Sequence, residues 1–193
     1  AFGDACDSLR VAANLPYYIT TDVLTKLMRE LPQAKSIAVM IQKEVGDKLL
    51  SAPGDDGYGP LAVMCQYHYD VSRALDVPAA CFNPPPKVDS SFMVLRRLEH
   101  PCVDAGDEAV FTRLVRTAFA MRRKTLLNNL VSGFSLSREQ ASACLENAGL
   151  SAQVRAEELS LEDFAALSRE LQHESQKEAG HSAQSGDGEK HEE

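Results

Sequence analysis

The chain has 193 residues, of which 44% are hydrophobic and 25% are charged. This composition is typical of a globular protein with one ordinary domain or two small ones. No apolar run is long enough to cross a bilayer, so we expect no membrane contact. Five cysteines without a Cys-x-x-Cys pair favour reduced thiols in a cytoplasmic protein and argue against a metal site. The chain does not begin with Met, and we interpret it as a fragment.

The charge is distributed unevenly along the chain. The net charge of −8 argues against a nucleic-acid-binding surface over the whole protein, but a local basic surface matters more than the sum. Residues 172–193 contain six acidic residues and two lysines. Residues 109–138 contain no acidic residue, and their basic residues are Arg113, Arg116, Arg122, Arg123, Lys124 and Arg138.

The first hundred residues alternate between strand and helix patterns. The apolar run over residues 36–41 is typical of a strand buried on both faces of a parallel sheet. Thr20 or Thr21 is expected to cap a helix that ends near Leu31. Further strands are predicted over residues 9–13, 69–77 and 90–98, and further helices over 44–50 and 59–67. This order favours an α/β layered fold.

The pattern changes after about residue 100. Residues 107–170 carry helical periodicity without a strand signal, and apolar residues become rare after Leu171. We therefore expect an α/β domain over residues 1–104, a helical domain over 105–171 and a disordered acidic tail over 172–193.

The sequence Asn14-Leu15-Pro16-Tyr17 follows the first predicted strand, where ligands bind in open α/β sheets. The exocyclic amine of a nucleobase is a poor nucleophile, because its lone pair is delocalised into the ring. The Asn14 amide oxygen and the Leu15 carbonyl could accept the amine hydrogens, Pro16 would keep the turn rigid, and Tyr17 would stack on a flipped base. A plain strand-ending turn explains the tetrapeptide equally well.

A second candidate is the proline-rich segment that contains Phe82, over residues 77–90. Its prolines fix an extended path, and Phe82 could form the other wall of a base pocket. The alternative is a structural crossover between strands with Phe82 in the core, and the segment alone favours that reading.

A third candidate is the basic stretch from Phe111 to Leu130. On a helix, the basic residues Arg113, Arg116, Arg123 and Lys124 lie opposite the apolar residues. Arg122 would fall on the apolar side of an unbroken helix, so we expect a break near residues 120–122. These residues predict a surface that contacts RNA phosphates, and the alternative is a solvated helix face.

Several motifs together resemble those of the small-subunit ribosomal RNA adenine N6,N6-dimethyltransferases. The resemblance runs from about Leu9 to Leu171. The motifs, in chain order, are Asn14-Leu15-Pro16-Tyr17-Tyr18-Ile19-Thr20-Thr21, Gln42-Lys43-Glu44-Val45, Tyr58-Gly59-Pro60-Leu61-Ala62-Val63, Phe82-Asn83-Pro84-Pro85-Pro86-Lys87-Val88-Asp89-Ser90, Phe119-Ala120-Met121-Arg122-Arg123-Lys124-Thr125-Leu126 and Arg155-Ala156-Glu157-Glu158-Leu159-Ser160.

The resemblance implies a Rossmann-like methyltransferase domain followed by a small helical domain. It implies transfer of methyl groups from S-adenosylmethionine to two adjacent adenines near the 3′ end of small-subunit rRNA, and a role in ribosome maturation. The implied partner is the small ribosomal subunit precursor, and we expect a monomer. Within the family, Asn14 lies beside both the methyl donor and the target amine.

One departure from the family pattern concerns the donor site. The Gly-rich loop and the acidic residues that hold the donor in the family have no counterpart here, and Asp4 is too close to Asn14 to replace them. We therefore expect this chain to be inactive alone, with Val11, Ile37, Val39 and Ile41 poorly covered at the edge of a truncated sheet.

Two other functions remain open at this stage. One is a large-subunit rRNA adenine methyltransferase of the antibiotic-resistance type, which shares the Asn-Leu-Pro-Tyr turn. The other is an RNA-binding assembly factor on the same fold that has no catalytic activity.

Overall fold

A computed structural model describes residues 9–184 of the chain, with side chains described through Lys177. The chain divides into two compact units, the first ending at Cys102 and the second beginning at Val103. Among the described residues, no helix is both long and apolar enough to cross a membrane.

The first unit is built on a four-stranded sheet with strand order β1-β2-β4-β3. β1 is parallel to β2, whereas β4 is antiparallel to both β2 and β3. The expectation of a parallel sheet is thus correct only for the β1–β2 pair. The strands are β1 (Arg10–Asn14), β2 (Ser36–Gln42), β3 (Tyr69–Val77) and β4 (Ser90–Arg97), and the helices are α1 (Thr20–Glu30), α2 (Lys43–Leu49) and α3 (Pro60–His68).

One face of the sheet forms the core of this unit. Ile37, Val39 and Ile41 of β2 are fully buried, in one cluster with Leu24 of α1 and Leu49 of α2. The prediction that these β2 residues are poorly covered is therefore wrong, because they point toward the helices.

The opposite face of the sheet is only half-buried, at Ala38, Met40, Phe92 and Val94. β2 consequently alternates between buried and half-buried residues. The prediction that this strand is buried on both faces is therefore also wrong.

The start of α1 differs from the prediction. No side chain caps this helix, and the residue before it is Ile19, at the end of a short 3-10 turn over Tyr17–Ile19. The Thr20 hydroxyl donates instead to the Pro16 carbonyl at 3.1 Å. Thr20 therefore ties the helix to the preceding turn rather than satisfying a free N–H group.

The described part of the second unit contains no strand. The helices are α4 (Glu108–Ala118), α5 (Leu126–Phe134), α6 (Arg138–Asn147) and α7 (Leu161–Gln184), with a short 3-10 turn over Ala156–Glu158. The Asp107 side chain caps α4, and Ser137 and Gln140 form a capping box at α6. These caps satisfy N–H groups that a helix start leaves unpaired.

The predicted break in the basic stretch is confirmed. α4 ends at Ala118 and α5 begins at Leu126. Buried Asn129 of α5 donates from Nδ2 to the Ala118 carbonyl at 2.7 Å. The apolar face expected of the first helix, Phe111, Leu114, Val115 and Ala118, is buried.

The predicted disordered tail is wrong for residues 172–184, because α7 continues through Gln184. Gln172 donates from Nε2 to the Ala105 carbonyl at 2.9 Å, and the Ser175 hydroxyl donates to the Leu171 carbonyl at 2.9 Å. Gln, Glu, Lys and Ala also propagate a helix well once it has started. The remaining residues of the predicted tail, 185–193, lie outside the described part of the chain.

Gly133 of α5 lies against Thr117 of α4, and a β-carbon there would overlap the Thr117 side chain. We predict that Gly133→Ala lowers the free energy of unfolding by about 1–2 kcal/mol, because overpacking outweighs the helix propensity that Ala adds. Urea unfolding of the variant measures this change. Adding Thr117→Ala should restore most of the stability, with Thr117→Ala alone as the control. Wild-type stability in Gly133→Ala would show that the two helices are packed less closely than described.

Candidate base-binding site

The end of β1 fixes the backbone of the first candidate motif. The Leu15 N–H donates to the Met40 carbonyl at 3.1 Å, and the Leu15 side chain is buried in the sheet core. The Asn14 side chain is exposed and forms no hydrogen bond with another described residue. The amide of Asn14 is therefore available to a ligand while its backbone is held by the sheet.

All five residues predicted to take part in catalysis line one open pocket of about 340 Å³. Phe82 is half-buried and lies outside the buried core cluster, so the alternative that places this ring in the core is wrong. The Asn83–Pro84 peptide bond is cis. The lining residues are Asn14, Leu15, Pro16, Tyr17, Phe82, Pro84 and Pro86.

The side chains that line this pocket carry no charge. Its lining contains an amide, backbone carbonyls, two aromatic rings and proline rings, but no carboxylate, imidazole or amine. Such a lining can accept hydrogen bonds and stack on a planar group, and its one side chain of a type that acts as a general base is Tyr17, whose hydroxyl contacts Ser90. Elsewhere within residues 9–184, no group of His, Cys, Asp or Glu is arranged to hold a metal ion.

The two adjacent tyrosines of the motif differ in environment. Tyr17 is half-buried, and its hydroxyl lies 2.6 Å from the Ser90 hydroxyl. Tyr18 is 86% exposed. Base stacking is the role predicted for Tyr17, and the 3-10 turn over Tyr17–Ile19 leaves Tyr17 rather than Tyr18 half-buried at the pocket.

Asp89 joins both ends of the proline-rich segment. Its side-chain Oδ1 accepts a hydrogen bond from the Ala79 N–H at 2.9 Å, and its carbonyl accepts one from the Lys43 N–H at 2.9 Å. The next residue, Ser90, is fully buried at the start of β4. Sequence reasoning included both residues in a motif but gave neither a role. An Asp-Ser pair between a proline run and a strand is the signal that could have indicated them.

The motif residues Gln42, Lys43 and Glu44 lie where β2 ends at Gln42 and α2 begins at Lys43. Glu44 is exposed, pairs with Lys48 at 2.7 Å and is not among the residues that line the Asn14 pocket. Asp47, one turn later, forms ion pairs with Lys43 and Arg73. Burial would raise the pKa of Asp47, but hydrogen bonds from Arg73 and Lys43 outweigh it and hold the pKa below its ordinary value. This cluster ties α2 to β3.

The predicted RNA-binding residues lie on α4 and on the break that follows it. Arg113 is partly engaged, because its guanidinium stacks 4.4 Å from the Phe134 ring centroid and donates to the Gly133 carbonyl at 2.8 Å. Arg116, Arg122, Arg123 and Lys124 are exposed and form no salt bridge within the described part of the chain. The break therefore carries positive charge that no described carboxylate neutralises.

Two curated relatives carry the name ribosomal RNA small subunit methyltransferase A. The protein from Clostridium acetobutylicum is 44% identical over 164 residues, which cover 85% of this chain and 59% of that protein. The protein from Macrococcus caseolyticus is 45% identical over 169 residues, which cover 86% of this chain and 57% of that protein. The chain thus spans less than two thirds of the length of these relatives.

Two solved structures resemble the fold. A dimethyladenosine transferase from Plasmodium falciparum matches with a TM-score of 0.72 and 25% identity, over 90% of this chain and 72% of that chain. The 23S rRNA methyltransferase ErmE matches with a TM-score of 0.62 and 24% identity, over 86% of this chain and 66% of that chain. The predicted Rossmann-like methyltransferase fold is confirmed.

The family assignment follows from the length of the match together with the ordered motifs. The family model described as ribosomal RNA adenine dimethylase matches residues 3–173, and this range includes the Asn14 pocket, Phe82 and the basic residues of the second unit. The chain belongs to the ribosomal RNA adenine dimethylase family.

Proposed function

We propose that the protein containing this chain is an rRNA adenine N6,N6-dimethyltransferase that acts on two adjacent adenines near the 3′ end of small-subunit rRNA. The observation that carries this proposal is the neutral pocket that joins Asn14 and Leu15 to the rings of Tyr17 and Phe82. The names of the curated relatives support the small subunit as substrate. We further propose a cytoplasmic monomer that acts on the small-subunit precursor during ribosome maturation.

In the proposed mechanism, the pocket holds and orients a flipped adenine. The Asn14 amide oxygen and the Leu15 carbonyl accept the two hydrogens of the N6 amine, which draws the nitrogen lone pair out of the ring plane. Tyr17 and Phe82 flank the base, and Pro16 keeps the two acceptors in a fixed relation. Because the pocket lining contains no carboxylate, imidazole or amine, the proton that N6 loses on methylation would pass to water, and rate acceleration would depend on orientation and hydrogen bonding.

The methyl donor of this reaction is S-adenosylmethionine, which supplies a methyl group bonded to a sulfonium sulfur. Asn14 is the one residue of this chain that we place against the donor. It ends β1, which within residues 9–184 pairs with β2. The Asn14 amide is exposed and forms no hydrogen bond with another described residue, so it would be free to contact the donor.

A second candidate is methylation of large-subunit rRNA, which the fold match to ErmE favours. The identity of the curated relatives favours the small subunit instead. The two candidates differ in the rRNA that is modified, so a single measurement separates them.

We predict that cells lacking the gene have small-subunit rRNA in which the two adjacent adenines are unmodified. Mass spectrometry of nuclease fragments from both subunits measures the methylation state. A complementing gene should restore dimethylation, which provides the control. Loss of methylation in the large subunit alone would establish the second candidate, and unchanged methylation in both subunits would remove the catalytic proposal.

We predict that Asn14→Ala in the full-length enzyme lowers kcat by about 100-fold or more, because the lost acceptor acts mainly in the transition state. Methyl incorporation at saturating donor and RNA measures kcat. The thermal midpoint should stay close to wild type, since the Asn14 side chain is exposed. Gln33→Ala, which also removes an exposed amide from the first unit, is the control. Normal turnover in Asn14→Ala would mean that Asn14 is only a turn residue.

We predict that replacing Arg116, Arg122, Arg123 and Lys124 with Gln weakens RNA binding and flattens its salt dependence. Each lost phosphate contact should reduce the slope of log affinity against log salt by roughly 0.7–0.9. Binding titrations over a series of salt concentrations measure the slope.

The control for this prediction is a variant that loses four positive charges from the first unit. Lys26, Arg29, Lys35 and Arg96 are exposed and serve this purpose when replaced with Gln. Equal slopes in the two variants would show that the basic residues of the second unit form only a solvated helix face.

A further inference from the structure

We infer that Ser90 is a positioning residue, which fixes the Tyr17 ring in the base pocket through the hydrogen bond between their hydroxyls. This inference rests on the proposed function, because it gives Tyr17 a base to stack on. Ser90 is not among the residues that line the pocket, so it would act on the base only through Tyr17.

The Ser90 hydroxyl is a rigid anchor. Ser90 is fully buried and begins β4, where it is paired with Gln42 on β2 and with Val77 on β3. A residue paired on both sides has little freedom to move its backbone. Its hydroxyl therefore occupies a position set by three strands.

The Tyr17 ring is held from both ends. At the backbone end, the Ile19 N–H donates to the Pro16 carbonyl at 3.2 Å, and the Thr20 hydroxyl donates to the same carbonyl at 3.1 Å. At the far end, the Tyr17 hydroxyl lies 2.6 Å from the Ser90 hydroxyl. The far contact restricts rotation of a side chain that would otherwise pivot on its β-carbon.

The second wall of the pocket is held by the neighbouring residue. Asp89 accepts a hydrogen bond from the Ala79 N–H at 2.9 Å, and this bond closes the segment that carries Phe82. Asp89 and Ser90 are consecutive, so the two aromatic walls are attached to one dipeptide at the start of β4. The spacing between Tyr17 and Phe82 is therefore set by β4 rather than by the pocket itself.

Ser91 provides a matched control for Ser90. It is also fully buried, but its hydroxyl donates to Asp76 on β3 rather than to a residue of the pocket. Replacing either serine with Ala removes one buried hydroxyl from β4. Only the Ser90 variant removes a contact with Tyr17.

The test is a double-mutant cycle in the full-length enzyme with Tyr17→Phe and Ser90→Ala. A lost neutral hydrogen bond corresponds to roughly 2- to 10-fold in rate, so each single variant should lose about that factor in kcat. The double variant should be no slower than the slower single variant, because both changes break the same contact. Ser91→Ala should retain wild-type kcat even if its thermal midpoint falls.

Two kinetic results would overturn the inference. One is a double variant whose loss equals the product of the two single losses, since this would show that Ser90 and Tyr17 act independently. The other is wild-type kcat in Ser90→Ala.

A readout that does not depend on activity separates this inference from the proposed function. In enzyme labelled with ¹³C at the tyrosine ζ-carbons, Tyr17→Phe identifies the Tyr17 resonance. Ser90→Ala should shift that resonance and Ser91→Ala should leave it in place. An unshifted resonance in Ser90→Ala overturns the inference. A shifted resonance in an enzyme that does not methylate small-subunit rRNA supports the Ser90 contact and rejects the proposed substrate.

Discussion

The polarity of β2 relative to its two neighbours determines where the site forms. β2 is parallel to β1, so Asn14 at the end of β1 pairs with Met40 near the end of β2. β2 is antiparallel to β4, so its last residue, Gln42, pairs with Ser90 at the start of β4. The C-terminal end of β1 and the N-terminal end of β4 therefore lie at the same end of the strands of the sheet. If β4 were parallel to β2, the proline-rich segment would enter the sheet at the opposite end of the strands.

A pocket with no charged side chain must act by holding its substrate in place, and the strands around this pocket can hold its walls rigid. A site that depends on orientation needs rigid walls more than titratable groups, because small displacements weaken every hydrogen bond in the transition state. Strand pairing holds the backbone of Asn14 and of Ser90 rigid. The buried side chain of Leu15 holds the residue that follows Asn14. The ionic cluster of Lys43, Asp47 and Arg73 lies on α2 and β3 and leaves the pocket uncharged.

Local patterns in the sequence predicted the elements well, because hydrophobic periodicity and prolines act over a few residues. The four strands and the break after Ala118 are examples. The contact between Tyr17 and Ser90 joins residues 73 positions apart, and no local pattern indicates such a contact. The continuation of α7 past Leu171 was missed for a similar reason, since it depends on Gln172 reaching Ala105. The exposed amide of Asn14 agrees with its predicted role, which remains a proposal.

The hydrogen bond between Asp89 and Ala79 joins residues ten positions apart, and this has a consequence for how the family can diversify. The entropy of closing a loop rises slowly with loop length, so the segment can lengthen between Pro86 and Asp89 without disturbing the strands on either side. β4 would keep its register with β2 and β3, and Phe82, Pro84 and Pro86 would still line the pocket. Enzymes of this family could therefore differ in this part of the segment while they keep the same base pocket.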